Sequence, residues 1–240
     1  MPKKVIKPEN RGEQSAMGAE APPPPAQEFA VKDCSLLTMT TGQHAQNLRE
    51  LDTLLREVHR GCIDHIFWGN RLLPRVERPD FQNDIAVWAR NALHDHPLSE
   101  RLGIINPTRF PDLEALRREV IDIIEERLGE REITPWAQTG REFFFRRAQT
   151  VVFDTRLRLR EPKQLCDIVP QMSVGSIYYH FIDARRRVPG SVDDFSSWLR
   201  GFGDQYVELI HNLVNLDTYF LTLTELRERA ADVINRFFPC

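Results

Sequence analysis

Leu48, Leu51, Leu55 and Val58 recur at steps of three and four residues, which places them on one face of a helix over about 43–60. Gly61 follows at a position suited to a left-handed cap. Ile177, Phe181, Ala184 and Val188 form a second such line, predicting a helix over about 176–188 and a matching one over about 62–73. Trp88 and Trp198 fall in third helices, about 82–94 and 192–203, with Asp80 and Ser191 as N-cap candidates. Short fourth helices are predicted near 98–105 and 206–215. The last pair carries Leu113, Leu116, Val120, Ile123 and Ile124 over about 112–128, and Leu223, Leu226, Ala230, Val233 and Ile234 over about 222–237. Asp112 and Thr222 stand ready to cap them. Pro162 and Pro170 shorten the helix around Leu165, Ile168, Val169 and Met172. Extended structure is predicted only where aromatic and β-branched residues cluster, at Phe29–Val31, Phe143–Phe145 and Val151–Phe153.

The same order of elements occurs twice. Sliding the chain by 114 positions pairs Glu28 with Glu142, Phe29 with Phe143, Thr41 with Thr155, Leu51 with Leu165, Gly61 with Gly175, Ile63 with Ile177, Phe67 with Phe181 and Arg71 with Arg185. After a four-residue deletion, an offset of 110 pairs Asp84 with Asp194, Trp88 with Trp198, Thr108 with Thr218, Phe110 with Phe220, Leu116 with Leu226 and Ile124 with Ile234. A repeat of this length is the mark of an internal duplication. The expected fold is mainly α: two pseudo-symmetric helical repeats, each opening with a short N-terminal β-strand, the two strands being placed to pair between repeats. The expected divisions are a disordered proline-rich leader at 1–28, a first repeat at 29–128, a linker at 129–141 and a second repeat at 142–238. The leader reading rests on Pro22 to Pro25 and on a scarcity of large apolar side chains there.

Composition narrows the function classes. A net charge of −3 argues against broad attraction to nucleic acid or to an anionic membrane. There is no apolar run of membrane-spanning length and no secretory signal pattern, so a cytoplasmic protein is expected. The cysteines, Cys34, Cys62, Cys166 and Cys240, lack the spacing of a zinc site and are expected to be reduced thiols.

The second copy reads S-I-Y-Y-H-F from Ser176 to Phe181 and D-D-F-S-S-W-L from Asp193 to Leu199. The first reads T-G-x-x-A-x-x-L-x-E-L-x-x-L-L from Thr41 to Leu55 and N-D-I-A-x-W from Asn83 to Trp88. Together these strings resemble an uncharacterised prokaryotic tandem-repeat family, domain of unknown function 5752. The resemblance spans about 29–238 and implies two tandem copies and no assigned activity. The first copy has Asp64-His65-Ile66 where the second has Tyr178-Tyr179-His180, so a site needing both tyrosines and the histidine can exist only once.

Candidate chemistry gathers in the second copy. His180, Tyr178 and Tyr179 are the candidate catalytic residues, since histidine and tyrosine can exchange protons near neutral pH. Their structural alternative is a buried imidazole satisfied by neighbouring hydrogen-bond partners. Arg185, Arg186, Arg146 and Arg158 are the candidate ligand-binding residues, because guanidinium forks match carboxylates and phosphates. They could instead meet acidic side chains of the first copy. The run His94-Asp95-His96 invites a metal, but residues two apart on a helix point in different directions, and no metal is expected. No phosphate loop, nucleophile elbow or metalloprotease motif occurs, and no cofactor is expected. The expected function is a non-enzymatic binding or regulatory module holding a protein partner or a small anionic ligand between its halves. The alternatives are an enzyme acting on a phosphorylated or sugar substrate with His180 as acid–base group, and weak nucleic-acid binding through an arginine patch.

Overall fold

The computed structural model describes residues 28–72, 81–130, 135–188 and 190–239. The leader, except for Glu28, lies outside these residues, as do the middle of the linker, Asp80 and Cys240.

Strand β1 runs Phe29–Ala45 and is followed by α1 (Leu48–Glu57), α2 (Arg60–Trp68), α3 (Asp84–Asn91), α4 (His96–Gly103) and α5 (Leu113–Gly129). Strand β2 (Phe143–Leu159) opens the second half. After it come α6 (Leu165–Ile168), α7 (Val174–Ile177), α8 (Ala184–Arg187), α9 (Asp194–Leu199), α10 (Val207–Val214) and α11 (Leu223–Phe237). The helices follow the apolar periodicity. Leu48, Leu51 and Leu55 are buried on α1, and Leu226, Ala230 and Ile234 on α11. Burying each of these leucines and the isoleucine stabilises the fold by about 1.5–3 kcal/mol. Asp112 caps α5 by accepting from the Ala115 N–H, and Thr222 caps α11 with a reciprocal bond from Glu225. Asn83 and Asp193 cap α3 and α9. Ser191 does not; it lies in the turn before α9 with a positive φ of 52°.

The expected fold class needs correction in its strands. They are not short, and they are not separate elements of the two repeats. β1 and β2 are seventeen residues each and form a single two-stranded antiparallel sheet, paired from Phe29 with Leu159 to Ala45 with Phe143. Each strand begins in the core of the opposite half and ends beside its own. Phe29 stacks on Phe195 at 5.0 Å and touches Trp198, both in the second half. Phe143 meets Trp88 of the first half at 5.7 Å. Burial explains the exchange: the aromatic start of each strand is its most apolar part, and the deep site for it is offered across the sheet.

Other contacts recur across the sheet. Thr155 donates to the Val31 carbonyl at 2.6 Å, and Thr41 to the Phe145 carbonyl at 2.8 Å. Gly175, on α7, lies so close to Asp33 and Cys34 of β1 that a Cβ there would collide with backbone. Gly61, on α2, approaches β2 similarly, where a Cβ would stand 2.9 Å from Arg147 Cγ. Gly61 is thus inside a helix, not at a left-handed cap. Its value is the missing side chain, which lets the helix approach the sheet. Cys34 and Cys62 are free and buried, while Cys166 is disulfide-bonded, so the expectation of reduced thiols holds for only the first two of these three.

Candidate functional site

The helical stretch from α7 to α8 carries most of the candidate residues, and it changes pitch midway. Tyr178–Asp183 forms a π-helical turn between the two α segments. Such turns are rare and shift the phase of the side chains that follow. Here the turn drives Tyr178, His180, Phe181 and Ile182 all into the interior.

His180 is held at both ring nitrogens. Nε2 accepts the Lys32 backbone N–H at 2.9 Å, and Nδ1 lies 2.7 Å from Asp194 Oδ2. Because Nε2 must accept, the proton sits on Nδ1 and is donated to Asp194, which leaves a neutral imidazole. Phe29, Tyr179 and Phe195 pack around it at 5.0–5.3 Å. The first half has a parallel, with buried His65 Nδ1 at 3.5 Å from Asp84. Tyr178 is fully buried, and desolvation pushes its phenol well above the ordinary value while Arg186 opposes the shift. Tyr179 is partly exposed and stacks under Arg187 at 3.9 Å.

The three consecutive arginines have different environments. Arg186 pairs with Asp64 and Asp183, donates to Tyr178 Oη at 3.1 Å and lies 5.1 Å over the Trp68 ring. Burial works against its charge, but Tyr178, Asp64 and Asp183 together hold it above its ordinary value. Arg187 is bound to Asp183 at 2.7 Å and Asp194 at 2.9 Å. Arg185 has no ion-pair partner among the described residues. One of its terminal nitrogens donates to the Val214 carbonyl at 2.9 Å, and its buried Nε has no partner. Desolvation pulls its affinity for the proton down, with Asp193 and Asp217 opposing only at a distance. A guanidinium stays charged even so, which leaves a half-buried cation without a matching anion.

Arg185 faces a cleft of about 370 Å³ between the two halves. The first half supplies Arg60 and Trp68 from α2, and Pro107, Thr108, Phe110–Glu114 and Leu116 around the start of α5. The second supplies Ile182, Arg185, Arg186, Val188 and Thr218. Two more buried polar atoms on this wall lack partners, Trp68 Nε1 and Thr218 Oγ1, in residues only 5% and 2% exposed. The acidic residues of the lining are engaged elsewhere. Asp112 caps α5 at 2.7 Å from the Ala115 nitrogen, and Glu114 pairs with Arg117 at 2.8 Å. The wall therefore offers hydrogen-bond donors and positive charge above an apolar floor.

The other candidates lie apart. Arg158 pairs with Asp154 on the exposed face of β2 at 2.7 Å, and Arg146 is exposed on the same strand beside a different depression, near Trp88. Asp95 of the His94–His96 run caps α4 and binds Arg127 at 3.0 Å. Sequence reasoning did not single out Trp68, Thr218 or Arg60. A usable signal was present, since Trp68 aligns with Ile182 and marks a place where the two copies differ.

A model of a family of unknown function, DUF5752, matches residues 26–235. The fold is similar to that of OrfY from Thermoproteus tenax, at 25% sequence identity and a TM-score of 0.76, over 89% of this chain and 97% of that one. No curated protein matches.

Proposed function

The chain belongs to the DUF5752 family of unknown function, and we propose that it is a binding module that holds a small anionic ligand in the cleft between its halves. The observation that carries this reading is Arg185, a half-buried guanidinium with no carboxylate partner and a solvent-shielded, unpartnered Nε, flanked by the buried unpartnered donors Trp68 Nε1 and Thr218 Oγ1. Withdrawing a charge from water without a counterion is unfavourable, and an anion in the cleft offsets that cost. The matched contacts made by Thr41 and Thr155, and by Phe29 and Phe143, support an internal duplication whose two copies create the cleft where they meet. Catalysis by His180 has less support, because the ring would first have to release Lys32 or Asp194.

The test is thermal denaturation of the full chain with inorganic phosphate and with small carboxylates, alongside Arg185→Met. An anion is expected to raise the melting temperature in proportion to the logarithm of its concentration. R185M is expected to melt at the same temperature as the parent or higher, and to lose the anion effect. A variant that keeps the shift, or a parent that shows none, defeats the reading.

A further inference from the structure

The molecule treats one position differently on its two sides. Tyr219 is fully buried, with its ring 6.4 Å from both Phe67 and Trp68 and the Arg71 guanidinium 6.0 Å from its centroid. Arg71 also binds the carbonyls of Tyr219 and Leu221, both at 2.7 Å. A phenol ring from the second half is thereby seated in the first. The alignment that pairs Thr108 with Thr218 and Phe110 with Phe220 pairs Arg109 with Tyr219. The receiving residues Phe67, Trp68 and Arg71 correspond to Phe181, Ile182 and Arg185. On that opposite side Arg109 is exposed and supplies no ring. Ile182 and Arg185 instead line the cleft, together with Thr108 and Phe110 on either side of Arg109. The cleft is the seat that a tyrosine ring takes on the other side, left open.

We infer that the ligand of this cleft is an aromatic acid, a single ring carrying a carboxylate or similar anion. This rests on the anion-binding reading above and adds the ring to it. The ring lies over Ile182 beside Arg185, as Tyr219 lies over Trp68 beside Arg71. The anionic group takes the free Nε–H of Arg185 and the donors Trp68 Nε1–H and Thr218 Oγ1–H. A volume of about 370 Å³ is at the small end of the usual ligand pockets, about 300–1,000 Å³, and suits one ring with a short acidic arm. A guanidinium beside the ring adds a cation–π contribution that an aliphatic acid does not receive.

Calorimetric titration of the full chain with benzoate and 4-hydroxyphenylacetate, against acetate, inorganic phosphate and phenol, separates the two claims. The aromatic acids are expected to bind at least about tenfold more tightly than any of the other three, which corresponds to about 1.4 kcal/mol. Acetate or phosphate binding as tightly overturns the ring and leaves the anion reading standing. Phenol binding as tightly overturns the anion reading, and this inference with it. No binding by any of the five overturns both. Arg109→Tyr is expected to fold, to melt higher and to lose the aromatic acids by at least tenfold, since its own ring takes the seat. Ile182→Trp, which narrows the cleft from the opposite wall, is expected to lose them as well. Parent-like binding in folded R109Y and I182W overturns the placement.

Discussion

Cys34 shows how far burial on β1 controls chemistry at a single side chain. Its thiol donates to the Gly175 carbonyl at 3.3 Å and is 5% exposed. Desolvation, with Asp183 and Asp33 adding to it, pushes its pKa up to about 12. Thiolate is the reactive form, so Cys34 is expected to resist Ellman's reagent at pH 8 in the folded protein and to react on unfolding. The same shift makes stability depend on pH. Above the ordinary thiol value of 9.0 the unfolded chain gives up this proton while the folded chain keeps it until about 12. Unfolding is therefore favoured as pH rises through that window, by at most about 1.4 kcal/mol per unit. Tyr178, also raised by burial, acts in the same direction at higher pH. Urea melts at pH 8 and pH 10 check this: Cys34→Ala should shallow the alkaline fall, and an unchanged fall would remove Cys34 as its source.

The exchanged strands determine which half each aromatic residue supports. Phe29 belongs to the first half by sequence, yet its ring packs with Phe195, Trp198 and His180. Phe29→Ala is accordingly expected to cost about 3–5 kcal/mol, the usual range for a buried phenylalanine. Its local effect should be found in the second half. Amide hydrogen exchange is expected to quicken in α9 before it quickens in α3, and Phe143→Ala should give the reverse order. Quickening confined to the half that contains the mutated residue would contradict the strand exchange. The π-helical turn belongs to this level too. By shifting phase it lets His180 reach Asp194, whereas His65 reaches the aligned Asp84 from an ordinary α-helix.

For the molecule as one body, the shared sheet and the Arg71 clamp join the halves. Arg71 lies in the turn after α2 and holds carbonyls of the loop before α11, with Tyr219 sunk into the first half beside it. One cooperative unfolding transition is therefore expected in calorimetry. Arg71→Ala leaves three carbonyls without their charged donor and should lower stability by about 2–4 kcal/mol, since hydrogen bonds to charged groups contribute about 1.5–3 kcal/mol each before relaxation. If R71A melts like the parent, the clamp is not part of what holds the halves together. No described helix is long and apolar enough to cross a membrane.

The helices, and the caps of the last pair, were legible in the chain because they follow from neighbours a few positions apart. Leu48, Leu51 and Leu55 mark α1, and Asp112 and Thr222 begin α5 and α11, whatever the rest of the protein does. The strands were legible only at their aromatic starts. From Leu36 to Ala45 the residues are mostly exposed and lack a buried alternation, so only the hydrogen bonds of β2 make them a strand. The candidate cluster on α7–α8 could be named from sequence, but not its division of labour. Arg185, Arg186 and Arg187 are the same residue three times over, and what separates them is which carboxylates lie within reach. Asp183 lies one turn back on the same helical stretch, but Asp194 comes from α9 and Asp64 from the other half, and these reach the arginines only in the folded chain. Local periodicity is a property of adjacent side chains and survives without a fold. A charge left unpaired, or a cleft left open opposite a buried tyrosine, is a property of distances between remote segments, and those exist only in the packed molecule.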